Sequence, residues 1–326
     1  MDKLRWGILG VAKINERLLP AFKVAADTEL VAIASRSAAR AKAAATAAGV
    51  PTAHGSYEAL LADPAVEAVY IPLPNTLHAE WARRAADAGK HVLCEKPLCP
   101  TAPEAEQLVA YCRSKGVRLM DGFMWPHHAR TARLRQMLDG DAVGDVKHVA
   151  GTFTFPLDLD PTNIRLRPDL AGGSLLDVGC YPVYGIRWAF RAEPVRAFAS
   201  ATMLHGVDVA MNGLLWFDGG RVGAFDCGFT LPLRQWLEVT GTKGVIRVPA
   251  MWLPDTNATV EVRCGDGPVE VLTMAGRDQI VCMLEDFGRA VREGREPEPS
   301  PDEAVKTLRV LDALARSARE GKVVDL

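Results

Sequence analysis

Within this chain, a lysine set between a glutamate and a proline, in Cys94-Glu95-Lys96-Pro97, is well suited to proton-transfer chemistry. A following proline disfavours the helical region for the residue before it, so Lys96 is held extended. The segment follows a short apolar run, His91–Cys94, that reads as a strand. In an open parallel sheet the carboxyl ends of the strands form the ligand crevice. A lysine held there against a cationic cofactor ring has its charge disfavoured and its pKa lowered. It can then bond a substrate hydroxyl or help a neighbour lose a proton. A solvated ion pair between Glu95 and Lys96, worth little, is the plain alternative.

Three other segments could hold a nucleotide. Gly10-Val11-Ala12-Lys13-Ile14-Asn15 occupies the first strand-to-helix turn and matches G-x-G-x-x-G only at its first glycine. Such a turn needs backbone N–H groups close to a pyrophosphate at a helix N-terminus. Alanine at the second position permits this less freely than glycine, and a plain turn explains the segment equally well. The second strand ends Ala34-Ser35-Arg36-Ser37, with Ser35 and Arg36 lying 20 and 21 residues past Asn15. A site that prefers NAD tends to place a carboxylate there, on the ribose 2′-hydroxyl. A hydroxyl and a guanidinium can instead hold a 2′-phosphate, which favours NADP. Pro72-Leu73-Pro74-Asn75-Thr76-Leu77-His78 follows the third strand. Its prolines stiffen the turn, and Asn75 is a natural helix cap. His78 then falls in the first helical turn, where a cofactor's ribose or nicotinamide could lie; a surface or capping histidine serves as well.

The elements that carry these segments alternate strand and helix. Leu4–Leu9, Leu30–Ala34, Val66–Ile71, His91–Cys94 and Val117–Met120 read as strands. Between them come a first helix interrupted by Pro20, then Ala38–Ala48, Thr76–Ala88 and Thr101–Lys115. Pro20 requires either a kink or a regular helix starting near Leu18–Leu19. Thr101 with Glu104 has the form of a capping box. This alternation predicts a parallel sheet with helices on both faces. After Phe123 the pattern changes. Gly144–Phe155, Val195–Leu204, Gly213–Phe217, Arg221–Phe229, Gln235–Thr240 and Val245–Val248 read as strands with few helices between, which predicts a mostly antiparallel sheet. Ser300, three residues before Glu303, caps a last helix whose Val305, Leu308, Leu311 and Leu314 form an apolar stripe. The expectation from this pattern is an α/β chain with a doubly wound parallel-sheet domain over 1–123 and an α+β domain with a mostly antiparallel sheet over 124–326.

The bulk numbers exclude other classes. With 38 basic and 40 acidic residues the formal charge is -2, without the basic excess of a nucleic-acid binder. No apolar run reaches the roughly 18 residues of a membrane span. The first residues lack the layout of a signal peptide. Seven scattered cysteines without a C-x-x-C pair argue against a disulfide framework and a zinc site, and fit the cytoplasm.

Gly10 with Ala12, Ser35-Arg36, Pro74-Asn75-Thr76-Leu77-His78 and Gly89-Lys90-His91-Val92-Leu93-Cys94-Glu95-Lys96-Pro97-Leu98 together resemble the signature of the glucose–fructose oxidoreductase/inositol dehydrogenase/rhizopine-catabolism family. The likeness continues in Gly172-Gly173-Ser174-Leu175-Leu176-Asp177-Val178-Gly179-Cys180-Tyr181-Pro182. It is greatest to the branch of dihydrodiol dehydrogenases, NADP-dependent D-xylose dehydrogenases and ketosugar reductases. The resemblance implies hydride transfer between NADP and a carbinol carbon of a sugar, a sugar derivative or a cyclic diol. It also implies that the first domain is a Rossmann domain and the second a large open sheet, with the last helix, about 301–319, packing back on the first domain. It makes Lys96 the catalytic lysine. Tyr181 stands where many members place histidine. On a helix Asp177 and Tyr181, four residues apart, share a face. Tyr181 would act as acid or base with support from Lys96, and Asp177 would orient a hydroxyl or Lys96. The implied cofactor set is Gly10, Ala12, Lys13, Ile14, Ser35, Arg36, Pro72, Leu73, Asn75, His78, Glu95, Lys96 and Pro97. Asp121-Gly122-Phe123-Met124-Trp125-Pro126-His127-His128 also resembles a family segment, with Asp121 in place of the usual glutamate. Trp125, His128, Arg165, Asp177 and Tyr181 are its substrate candidates; for Trp125 a core position is the plain account. No metal is implied. The open sheet implies a homodimer or homotetramer. Two other readings stay open at this point: a non-catalytic NADP-binding regulator, and a glycosidase using NAD as a transient hydride store.

Overall fold

The computed structural model describes residues 3–326. The N-terminal part alternates β1 (Leu4–Leu9), α1 (Asn15–Val24), β2 (Thr28–Ala34), α2 (Ala38–Ala48), β3 (Thr52–His54), α3 (Tyr57–Leu61), β4 (Ala68–Ile71), α4 (His78–Asp87), β5 (His91–Cys94), α5 (Ala102–Ser114) and β6 (Leu119–Asp121). There follow α6 (Ala129–Asp139), β7 (Val146–Thr154), α7 (Cys180–Phe190), β8 (Arg196–Leu204), β9 (Val207–Phe217), β10 (Arg221–Gly228), β11 (Arg234–Gly241), β12 (Gly244–Val248), β13 (Asn257–Cys264), β14 (Glu270–Ala275), α8 (Gln279–Arg292), α9 (Pro301–Glu320) and β15 (Val324–Asp325). The chain divides into two compact units. One holds the N-terminal residues to His127 together with Asp278–Val305; the other holds His128–Arg277 and Lys306–Leu326.

In the first unit six parallel strands lie in the order β3-β2-β1-β4-β5-β6. The order reverses between β1 and β4, the place where such sheets open a ligand crevice at their carboxyl ends. Central strands need apolar residues on both faces. Accordingly Trp6, Ile8, Ile33, Tyr70, Leu93 and Met120 lie in one buried cluster. Helix α8 returns to this cluster because Ile280, Met283, Leu284 and Phe287 make a stripe at helical spacing. Phe287 packs on Trp6 with ring centroids 5.3 Å apart, and Phe22 meets the same indole at 5.6 Å. Burying each large side chain of that stripe stabilises the unit by roughly 1.5–3 kcal/mol.

The second unit has a nine-stranded sheet, β14-β13-β12-β11-β7-β10-β9-β8-β15. Only the β10–β7 pair is parallel; the remaining neighbours run antiparallel. Strand β9 alternates buried and more exposed residues, so one face is packed and the other is open.

Several expectations are corrected. Helix α1 starts at Asn15 and runs through Pro20, rather than starting near Leu18–Leu19. Thr101 precedes α5 without a side-chain cap bond, so there is no capping box. Ser300 does hold the start of α9, since its Oγ accepts from Asp302 N at 3.3 Å. The returning segment begins at Asp278, earlier than the last helix, and the division between units falls inside α9. The second part also contains more helix than its strand-rich pattern predicts: α6, α7 and α8.

Candidate active site

Gly10 ends β1 with φ +142, a conformation that side chains rarely adopt, and a Cβ there would come within 3.2 Å of Leu73 Cδ2. The turn Val11–Ile14 then leads into α1. Asn15 is buried, and its Nδ2 donates to Gly10 O at 2.9 Å, bracing the turn. Ala12 and Ile14 are half-buried and Lys13 is exposed. Bare backbone at a helix N-terminus is what a pyrophosphate requires. At the carboxyl end of β2, Ser35 is buried and its Oγ accepts from Ser37 N at 3.2 Å, which leaves the hydroxyl hydrogen for a ligand. Arg36 is exposed beside it. A second cation, which the sequence reading missed, stands one turn along. Arg40 Nη2 donates to Val11 O at 3.2 Å, tying the start of α2 to the first turn. No carboxylate occupies positions 35 to 40, so these residues fit a cofactor bearing a 2′-phosphate.

The β4 and β5 corners meet through one histidine. The 75–77 turn is a short 3₁₀ piece with Asn75 inside it; Pro74 and not Asn75 is its cap residue. His78, the first residue of α4, is fully buried. Its Nδ1 lies 2.9 Å from Pro97 O and its Nε2 lies 2.7 Å from Leu73 O. Both ring nitrogens are thus taken by backbone, and His78 presents nothing to a cofactor. Burial pulls its pKa down, the two carbonyls oppose this, and the Lys96 charge adds to the lowering. Pro72 is buried and Leu73 half-buried beside Gly10.

Glu95 and Lys96 are half-buried, Pro97 is buried, and the Lys96–Pro97 bond is cis. The Glu95 carboxylate is engaged inside the protein. Its Oε1 accepts from the Tyr70 hydroxyl, and its Oε2 accepts from Lys96 N at 3.2 Å. Glu95 is therefore a support for Lys96, and the cofactor contact expected of it has to share a carboxylate already bonded at both oxygens. On β6, burial raises the Asp121 carboxyl to about 7, with Glu303 and Glu95 pushing the same way. Burial also pushes the Cys94 and Cys99 thiols up, which disqualifies them as thiolate nucleophiles.

Two substrate candidates are corrected. Trp125 is fully buried, so it has no ring face to offer a sugar. His128 is buried and caps α6, its Nδ1 accepting from Arg130 N at 3.1 Å. Both were read from neighbours in sequence, and burial decided against them.

In the second unit the remaining candidates gather. Asn163 Oδ1 accepts from Arg165 N at 3.0 Å and starts a short 3₁₀ turn. Arg165 Nε donates to Asp177 Oδ2 at 2.6 Å, and its guanidinium stands 5.9 Å from the Phe155 ring centre. Asp177 belongs to a π-helical turn, Leu175–Gly179, that runs directly into α7. Pro182 has no N–H for Val178 O, which accounts for the altered ladder at that point. Tyr181 lies in the first turn of α7. Its ring packs edge-on against Phe153 at 5.1 Å and tilted on Trp252 at 5.9 Å. Trp252 is itself fixed, with Nε1 donating to Thr152 O at 2.8 Å. The phenol is thus held on a rigid aromatic bed.

A residue invisible in the sequence anchors this segment. Asp208, on β9, accepts from Ser174 Oγ at 2.6 Å and from Leu175 N at 2.7 Å. Burial raises its pKa, and those hydrogen bonds oppose the rise. Gly173, at φ +114, approaches so closely that a Cβ would lie 2.3 Å from Asp208 Oδ1. A carboxylate at the start of a helix also meets the positive end of its dipole. A lone aspartate on an alternating strand carries no signal of this role.

Comparison with known proteins agrees with the geometry. Residues 4–123 match the GFO/IDH/MocA oxidoreductase family with its NAD-binding Rossmann fold, and residues 131–247 match the C-terminal domain of the same family. A D-xylose 1-dehydrogenase (NADP(+)) of Haloferax volcanii is 42% identical over 99% of this chain and 100% of the relative. The crystal structure of a 3-ketoreductase from Actinomadura kijaniata, in complex with NADP and TDP-benzene, superposes with a TM-score of 0.91 at 33% identity, covering 97% of this chain and 98% of that one. An aldose-aldose oxidoreductase from Caulobacter crescentus, complexed with glycerol, gives a TM-score of 0.93 at 29% identity, covering 99% and 100%. With a nucleotide-type turn, a lysine at a strand edge and a braced tyrosine in place, and with both halves matched, the chain belongs to the GFO/IDH/MocA oxidoreductase family.

Proposed function

We propose that this enzyme is an NADP-dependent dehydrogenase or reductase acting on a CH–OH group of a sugar or sugar-like substrate, with Lys96, Tyr181 and Asp177 in the reaction. The observation that carries the cofactor choice is the Ser35–Arg36 end of β2, where a hydroxyl and two guanidinium groups replace a carboxylate. Arg36 pairs with the 2′-phosphate, and Gly10, Ala12, Lys13 and Ile14 bring backbone to the pyrophosphate. When bound there, NADP would supply a hydride acceptor for a carbinol carbon, and NADPH a hydride donor for a carbonyl.

The chain's own groups manage the proton. Tyr181 takes the hydroxyl proton as phenolate in oxidation and returns it as phenol in reduction. A nearby ammonium lowers a phenol's pKa by its charge, and that supporting role is the one we assign to Lys96. Asp177 is already bonded through one oxygen to Arg165 Nε, so the pair works as a unit. We assign this pair to orienting substrate hydroxyls.

Seven free cysteines fit a reducing, cytoplasmic setting, and among the described residues no helix is long and apolar enough to cross a membrane. The open face of the nine-stranded sheet, with Leu214 exposed and Trp216 and Trp236 half-exposed, is the surface through which we expect a homodimer or homotetramer.

The test is NADP with a panel of aldoses and cyclic diols, read at the NADPH absorbance band. Turnover of a panel member, lost in Lys96→Met and reduced at least about a hundredfold in Tyr181→Phe, is the expected result for general acid–base catalysis. Wild-type kcat/KM in Tyr181→Phe removes the phenol from the mechanism.

A further inference from the structure

Two arms of hydrogen bonding converge on the backbone that carries Lys96. One arm begins on β4, where the buried Tyr70 donates its hydroxyl to Glu95 Oε1. The other Glu95 oxygen accepts from Lys96 N at 3.2 Å, so the carboxylate links a core strand to the lysine's own amide. The second arm begins on α4. His78 sits between Pro97 O, at 2.9 Å, and Leu73 O, at 2.7 Å. The neutral ring has one N–H: donated to Pro97 O it holds the residue after Lys96, and donated to Leu73 O it holds the loop that packs beside Gly10. Lys96 is gripped on both sides of its Cα. Neither Tyr70 nor His78 has solvent exposure that would account for a polar group at these positions, since both are fully buried. Burying a hydroxyl and an imidazole is costly unless each is hydrogen-bonded, so their place in the core is bound up with these partners.

We infer that Tyr70, acting through Glu95, and His78, acting through the Pro97 carbonyl, are positioning residues that aim the Lys96 ammonium. The inference rests on the reading of Lys96 as a reacting residue. Displacing a catalytic group by about an ångström can lower a rate roughly a hundredfold. Tyr70→Phe removes one oxygen atom and keeps the ring, so the strand core stays filled. His78→Gln keeps a polar side chain but replaces the rigid ring with a flexible one.

The experiment has two readouts on the full-length protein. The first is the rate at which trinitrobenzenesulfonate labels Lys96 in the cofactor-free protein, measured by peptide mass spectrometry against Lys23 and Lys115 of the same sample. A general loosening speeds all three lysines together; loss of the brace speeds Lys96 alone. The second is turnover of D-xylose with NADP, expressed per NADPH-binding site, in Tyr70→Phe, Glu95→Gln, Tyr70→Phe with Glu95→Gln, His78→Gln and Lys96→Met. We expect faster Lys96 labelling in both single-arm variants. We also expect a roughly tenfold to hundredfold fall in kcat with KM little changed. The Tyr70→Phe and Glu95→Gln effects should not multiply, because they break one arm. An unchanged Lys96 labelling ratio in both Tyr70→Phe and His78→Gln overturns the brace, whatever the turnover. Retained turnover in Lys96→Met overturns instead the reading on which the brace depends.

Discussion

Asp121→Asn should make the protein more stable than wild type at neutral and alkaline pH, by an amount that grows as the pH rises from about 4 to about 7 and is constant above. The carboxyl is 2% exposed at the end of β6, and burial with Glu303 and Glu95 nearby lifts its pKa from 3.8 to about 7. Below about pH 4 the group is protonated in both folded and unfolded chains and costs nothing. Between about 4 and about 7 the unfolded chain loses the proton while the folded chain keeps it, so stability falls with each step in pH. Above about 7 both forms are ionised and the cost is complete. A rise of about three pH units, at about 1.4 kcal/mol each, amounts to about 4 kcal/mol. Asparagine has nearly the same shape and never ionises. Thermal unfolding followed by circular dichroism at pH 5, 6, 7 and 8, with wild type and variant side by side, measures the difference. The variant's advantage should widen by several degrees across that range. Glu303→Gln should shift the window to lower pH by removing a neighbouring charge. An Asp121→Asn offset that stays constant from pH 5 to pH 8 would refute the assignment of the raised carboxyl to this residue.

Three further outcomes follow from particular contacts. Arg36→Ala should weaken NADP binding by roughly 1.5–3 kcal/mol, about tenfold or more, while NAD affinity changes little, and Arg40→Ala should act in the same direction; fluorescence titration of NADPH and NADH reads both. Asp208→Ala leaves the Ser174 hydroxyl and the Leu175 N–H without their acceptor, which costs roughly 1–3 kcal/mol for each buried donor. Urea unfolding should show that loss, with Asp208→Asn intermediate because one acceptor oxygen remains. Phe287→Ala removes the ring that packs on Trp6 and should destabilise the first unit by roughly 3–5 kcal/mol, seen as an earlier denaturation midpoint.

Local signals in the sequence determined the first sheet closely. The bounds of β1, α2 and β5 follow from apolar runs and, for α2, from the alanine-rich stretch closed by Gly49. Each depends only on residues within a turn or two of chain. Helix α8 went unread, although Ile280, Met283, Leu284 and Phe287 have helical spacing, and a stripe does not say which sheet it will cover. The candidate site divides along the same line. Residue types in short segments located Lys96, the Ser35–Arg36 pair and the Asp177–Tyr181 spacing. Whether a polar side chain faces ligand or core was decided by burial and by hydrogen-bond partners that only the folded chain brings into place. Pro97 O and Leu73 O took both nitrogens of His78, burial enclosed Trp125, and Arg130 N claimed His128. The same holds for Asp208, which is 34 residues from the serine it holds. A hydrogen bond of this kind needs both groups desolvated and within about 3 Å, a condition that only the folded chain can set.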